Sequence, residues 1–231
     1  MSFEFPAIQP IAFIGYDDIS FLGNRALNCL NIKTAQIYKN NNLFASEEVE
    51  STDLKITTKE EEKKEGGLDQ VIIKNVENKL SLICINKRGI KNNQESANLI
   101  YEKLKNCKEV YICAAIHSKI EKSTNANEIC YFGEKKVEGI PKIENLEISD
   151  PFLSSLLLLL NVGRISVNML VVEGRRFTKQ NDCVELVEKL SESASKTILS
   201  IFNDLELSKD SSSLKLYQPI ERKNENKLLY F

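Results

Sequence analysis

The sequence predicts an α/β domain of three layers, with helices packed on both faces of a mixed central sheet. Three observations predict it. Short apolar runs of strand length alternate with longer stretches whose apolar residues recur every three or four positions. The run "EVYICAAIH" (109–117) is apolar almost throughout, as strands are when both faces of their sheet are covered. The segments "QVIIKNV" (70–76) and "KLSLICINK" (79–87) are joined only by "EN", which reads as an antiparallel hairpin.

The elements follow in order. "IAFIGY" (11–16) reads as a buried strand, "ISFLGNRALNCL" (19–30) as a helix and "KTAQIY" (33–38) as a second strand, a βαβ-type opening. From "NNN" (40–42) to "TTKEEEKKEGG" (57–67) the chain turns polar. This is a solvated insertion of about residues 40–68, with an acidic docking surface as its functional alternative. After the hairpin, "ESANLIYEKLKNC" (95–107) is an amphipathic helix, and "EICYFGE" (128–134) follows the apolar strand as another short strand. "FLSSLLLLL" (152–160) is framed as a buried helix: Asp150 is a good N-cap, Pro151 suits the first turn, and Gly163 can close the end. "SVNMLVVEGRR" (166–176) is a central strand with a polar turn. The last long helix runs over about 182–207, with Val187, Leu190, Ala194, Ile198, Ile201 and Leu205 in one apolar stripe. The expected organisation is one folded body over 1–207 and a flexible tail over 208–231. No period of repeat length recurs, which argues against a solenoid.

Composition narrows the classes. The 231 residues carry 42% hydrophobic side chains, enough for a real core, and a net charge of −2, so nothing suggests nucleic acid or an anionic membrane. The Leu-rich helix is too short to span a bilayer, and "MSFEFPAIQP" lacks the basic and apolar regions of a signal peptide. The six cysteines form no C-x-x-C pair and sit mostly in apolar runs, which reads as free thiols in the cytoplasm or nucleus.

A search for catalytic groups returns fragments. His117, the single histidine, lies four residues from Cys113 on one strand, about 13 Å apart, so the two cannot form a dyad there. His117 reads as structural, with a place in a crevice at the strand ends as the functional alternative. Asp17 and Asp18 read as helix caps, or as the start of a site after the first strand. Glu173 to Arg176 read as a surface turn with a local ion pair, or as an anion clamp. No dinucleotide, P-loop or nucleophile-elbow motif occurs, and the lack of a histidine cluster or cysteine pair argues against zinc.

The chain finishes on "KLLYF", apolar and aromatic residues after the polar "ERKNENK". A carboxylate at Phe231 seeks a lysine or a nest of backbone N–H groups, Tyr230 brings a ring and a hydroxyl, and Leu229 fills an apolar pocket. The segment beyond Leu207 reaches roughly 80 Å extended and about 27 Å as a flexible coil. It can probe a partner already docked on the body, which raises its effective concentration.

The ending "LLYF" resembles the HbYX motif of proteins that dock on the α-ring of the proteasome core particle. With "IAFIGYDDISFLGNRAL" and "DPFLSSLLLLLNVGRISVNMLVVEGRR", the chain resembles the proteasome assembly chaperone 1/2 family over residues 8–207, the chaperone 1 branch more than the chaperone 2 branch. The resemblance implies a phosphorylase/hydrolase-like α/β/α fold without enzymatic activity or cofactor. It also implies a heterodimer with a paralogous chaperone and binding to proteasome α subunits of the 20S core, with Leu229, Tyr230 and Phe231 filling a pocket between two of them beside a lysine. Two other classes compete. One is a phosphorylase- or hydrolase-like enzyme using Asp17, His117 or Glu173. The other is an adaptor whose tail binds an unrelated carboxylate-capturing domain.

Overall fold

The computed structural model describes residues 6–17, 22–40, 71–86, 90, 92–116, 128–135, 137–173 and 180–210. The elements are β1 (Ile11–Asp17), α1 (Leu22–Asn28), β2 (Leu30–Ile32), β3 (Gln36–Asn40), β4 (Val71–Val76), β5 (Leu80–Ile85), α2 (Asn93–Leu104), β6 (Glu109–Ile116), β7 (Cys130–Phe132), α3 (Pro151–Val162), β8 (Ser166–Glu173), α4 (Gln180–Ile201) and β9 (Leu207–Lys209). Seven strands form one sheet in the order β3-β4-β5-β1-β6-β8-β7. Its middle, β5-β1-β6-β8, is parallel. The β3-β4 and β4-β5 pairs on one side and the β7-β8 pair on the other are antiparallel, so the sheet is mixed as expected.

Side-chain alternation divides the core into two layers. Along β6, Val110, Ile112, Ala114 and Ile116 join α2 and α3, while Tyr111, Cys113 and Ala115 face α1 and α4. Every residue of β6 is buried, which is why its sequence shows no polar alternation. Helix α3 begins as its sequence predicts: Asp150 accepts a hydrogen bond from the Leu153 amide at 2.9 Å and Pro151 takes the first turn. At its other end Gly163 keeps helical angles (φ −72°), and Arg164 is the left-handed residue (φ 56°). Gly163 is the C-cap, its N–H donating to the Leu159 and Asn161 carbonyl oxygens, and a Cβ there would stand 2.7 Å from the Tyr101 hydroxyl.

The structure corrects several boundaries. The helix expected over 19–30 stops at Asn28, because Leu30–Ile32 instead pair with Leu207–Lys209 in a small second sheet. Lys33 and Thr34 form a turn, so the next strand starts at Gln36. The hairpin loop is three residues long: Val76 pairs with Leu80, and Asn78 takes the left-handed conformation (φ 58°). Helix α4 ends at Ile201. Leu205 stays buried from the turn that follows, which let the helical stripe look longer than it is. Ser208 and Lys209, read as the first tail residues, belong to β9. The expected insertion, apart from Asn40, and the tail beyond Asp210 lie outside the described residues.

Two contacts set the spacing of the layers. A Cβ on Gly23 would fall 1.9 Å from the Cys113 carbonyl oxygen, and one on Gly15 would fall 2.4 Å from the Gly23 carbonyl oxygen. Helix α1 therefore lies on the backbone of β1 and β6 without side chains between them. At the far end of α1, the buried Lys74 of β4 donates to the Asn28 and Leu30 carbonyl oxygens at 2.6 and 2.8 Å. It supplies a donor to a carbonyl that the helix end leaves free, at Asn28, and another to the first carbonyl of β2, at Leu30. Burial holds this ammonium below the usual lysine pKa.

Below the parallel strands sits a closed polar cluster. Glu109 Oε1 accepts from the Tyr111 hydroxyl and from Asn168 Nδ2, each at 2.8 Å, and Glu109 Oε2 accepts from Lys135. Asn168 Oδ1 accepts from the Tyr131 hydroxyl at 2.5 Å. Burial, with the Glu109 charge beside it, pushes the Tyr131 hydroxyl up to about 12 and Tyr111 further still. The cluster pins β7 and the residues after it onto β8.

Gly23→Ala is expected to lose more than about 3 kcal/mol of stability or to fail to fold, since the obstacle is backbone. Gly139→Ala meets open space at φ +75° and is expected to cost only about 1 kcal/mol. Thermal unfolding of the two variants compares them. Glu109→Ala leaves three donors without their acceptor and is expected to cost about 3 kcal/mol or more, whereas Glu102→Ala, which removes an exposed pair with Lys105, is expected to cost under about 1 kcal/mol by urea denaturation.

Candidate functional site

Two regions require placement: the strand ends where an open α/β sheet binds ligands, and the C-terminal Leu229, Tyr230 and Phe231. The three terminal residues lie outside the described residues, as do Asp18, His117 and 174–176. Asp17 and Glu173 are described as positions in strands. Asp17 closes β1 opposite Ala115, and Glu173 closes β8 opposite Ile116. Strand β6 separates them, so the two backbones are about 10 Å apart at one end of the sheet. The register makes both of them strand residues, where the sequence read Asp17 as a helix cap or the start of a site after the first strand and Glu173 as part of a surface turn or an anion clamp. Asp17, as a strand residue five positions before α1, is not that helix's N-cap.

The sheet face toward α3 is filled at this end. The Tyr16 hydroxyl donates to both oxygens of Asp150, at 3.0 and 3.1 Å. The Tyr16 ring packs against Phe152, with ring centroids 4.8 Å apart. Tyr16 and Phe152 are fully buried and Asp150 nearly so. A helix N-terminus beside the ends of parallel strands is a ready anion site. At α3 that place is held by the protein's own carboxylate, which caps the helix and accepts the tyrosine proton. A phosphate or substrate carboxylate arriving there would have to displace Asp150 and break both contacts.

The opposite face is closed differently. Helix α1 lies on the strand backbones through Gly15 and Gly23, and Cys113 is buried beneath it. Gly15 and Gly23, eight residues apart in the chain, serve this close approach. The five cysteines with described side chains are all buried and free. Burial pushes Cys84 up to about 12 and Cys107 up to about 11, and raises Cys29 as well. Such thiols hold almost no thiolate at neutral pH and make poor nucleophiles. Among the described residues no group of three or more His, Cys, Asp or Glu could hold a metal ion, and no helix is long and apolar enough to cross a membrane.

Sequence reasoning missed the groups that the structure makes most distinctive. Lys74 read as an ordinary polar residue of a hairpin strand. Tyr16 and Asp150 are far apart in the chain, and Asp150 was recognised only as a cap. Glu109 opens β6 and Asn168 is the third residue of β8. Their partnership depends on the β6-β8 register, in which Glu109 pairs with Ser166 and Tyr111 with Asn168. A charged residue leading an otherwise apolar run was the one available signal.

No family model matches the chain, and no curated protein matches it. Solved structures do resemble it. A crystal structure of Pyrococcus furiosus PbaA, an archaeal homolog of proteasome-assembly chaperone, superposes with a TM-score of 0.52 at 15% identity, covering 84% of this chain and 84% of that one. Pyrococcus furiosus PbaB, an archaeal proteasome activator, gives 0.49 at 13% identity over 92% of this chain and 90% of its own. Arabidopsis thaliana 5'-methylthioadenosine nucleosidase gives 0.47 at 9% identity over 85% and 97%. The likeness to PbaA shows the fold, an α/β/α sandwich around a mixed seven-stranded sheet.

Proposed function

We propose that this chain is a non-catalytic chaperone for assembly of the 20S proteasome core. It acts in the cytoplasm or nucleus, pairs with a paralogous chaperone and binds proteasome α subunits. Leu229, Tyr230 and Phe231 enter a pocket between α subunits, where the Phe231 carboxylate meets a lysine, and no cofactor takes part. The observation that carries the reading is the hydrophobic-Tyr-any residue sequence at 229–231, joined to a folded body of this α/β/α type. Two features of the site support it. The α3 N-terminus is capped by Asp150, whose carboxylate also accepts from the Tyr16 hydroxyl, and the described thiols are buried and free. A tethered tip gains effective concentration once the body is docked, so a weak pocket contact suffices for function.

A hydrolase-like activity is the competing reading, favoured by the placement of Asp17 and Glu173 at one end of the sheet. The purified chain incubated with purine nucleosides is expected to release no free base. Base release that falls in Glu173→Gln would replace the chaperone reading with that one.

Removal of 229–231 is expected to abolish co-purification of proteasome α subunits while leaving the melting temperature unchanged. Adding one residue after Phe231 moves the carboxylate by about 3.5 Å and is expected to weaken binding at least tenfold by surface plasmon resonance. Undiminished binding in both variants would overturn the proposal.

A further inference from the structure

Helix α3 is built unlike the rest of the surface. The chain is 28% charged, yet Pro151–Val162 contains no charged residue. The two most exposed large hydrophobic side chains among the described residues are both on it, Leu158 at 64% and Val162 at 72%. They are four residues apart and so share one stripe of the helix. Beside them runs a groove of about 580 Å³, whose walls include Leu146, Ile148, Leu157 and Val167 and whose one charged lining residue is Glu134. The ends of the helix are charged in opposite senses. Glu144 and Glu147 precede the N-cap and Arg164 follows the C-terminus; all three are exposed, and none makes an ion pair among the described residues.

We infer that this face of α3 is a self-association surface, and that its occupant is the α3 of a second copy of this chain, lying antiparallel across a two-fold axis. An isologous contact sets a patch against itself, so a charged stripe would repel its own copy, whereas this uncharged one does not. The helix is about 18 Å long. Antiparallel packing brings Arg164 of each copy to the Glu147 end of the other, giving two opposite-charge contacts at the rim and opposed helix dipoles. Parallel packing would set like charges together. A peptide ending in a carboxylate would bring a second negative charge to Glu134, which disfavours the chain's own terminus as the occupant. The inference stands on α3 alone, and its test is separate from that of α-subunit binding.

Sedimentation velocity of the full chain over a concentration series tests it. The wild type is expected to shift from monomer to dimer as concentration rises. Leu158→Glu and Val162→Gln lie at exposed positions and should keep the circular dichroism spectrum and melting temperature of the wild type. Leu158→Glu is expected to weaken the dimer at least about a hundredfold, as loss of a central apolar anchor does. Arg164→Glu is expected to weaken it several-fold, and adding Glu147→Arg in the same chain is expected to restore it, because the two-fold pairs each residue with the other's position. A chain that is monomeric throughout, or a dimer untouched by Leu158→Glu and Val162→Gln, overturns the inference. So does a chain that dimerises only after 211–231 are removed, which would give the groove to the tail. None of these outcomes depends on whether α subunits bind residues 229–231.

Discussion

Helix α1 rests on the strand backbones because Gly23 has no Cβ to keep it from the Cys113 carbonyl and Gly15 has none to keep it from Gly23. Much of the structure depends on that contact. It sets the depth of the layer in which Leu22, Ala26 and Leu27 meet Leu186, Leu190 and Ala194 of α4. It carries the end of α1 to where Lys74 can cap it, and the chain from there directly into β2. With β2 so placed, β9 can close the small second sheet, which ties the residues after α4 back to the opening of the domain. Interiors packed at crystal-like density do not absorb an extra methyl where the neighbour is backbone.

The two faces of the sheet reach closure by different chemistry. Toward α1 and α4 the contact is backbone on backbone, followed by aliphatic packing. Toward α2 and α3 the strand ends are sealed by a hydrogen-bonded pair, Tyr16 with Asp150, and by the Phe152 ring. Asp150 caps α3 and anchors Tyr16 with the same carboxylate, so an interaction that a catalytic sheet could offer to a ligand is made within the protein. The buried Glu109 cluster at the other end is similar in kind, a charged group satisfied by side chains of two strands and by Lys135. Both polar arrangements are hydrogen-bonded within the protein, between segments far apart in the chain.

Much of the fold was legible in the residues, and the reason is local. The 150–163 segment carries its own cap, first-turn proline and terminal glycine, so α3 could be placed from Pro151 to about Val162. The uninterrupted apolar character of β6 told of a sheet covered on both sides before any topology was known. Where boundaries slipped, a distant strand was responsible. Leu30–Ile32 has the apolar content to continue α1 and leaves the helix because Leu207–Lys209 pairs with it. Leu205 matched the α4 stripe but is buried from a turn. Of the candidate site, Asp17 and Glu173 were legible as residues near the ends of strands, and not as members of the strands. Their common edge emerges only from the parallel alignment of β1, β6 and β8.

The sequence by itself determined the class of fold, the paired strands of the hairpin, the capped apolar helix and the Leu229-Tyr230-Phe231 ending, because each rests on periodicity or on residues adjacent in the chain. Tertiary structure alone decided that Gly15 and Gly23 meet, that Lys74 is buried against a helix end, that Asp150 is joined to Tyr16, and that the uncharged helix keeps Leu158 and Val162 in solvent. The physical reason is the same in each case. These are contacts between segments far apart in the chain, fixed by strand order and layer spacing, and periodicity carries no record of which distant backbone or side chain will stand opposite.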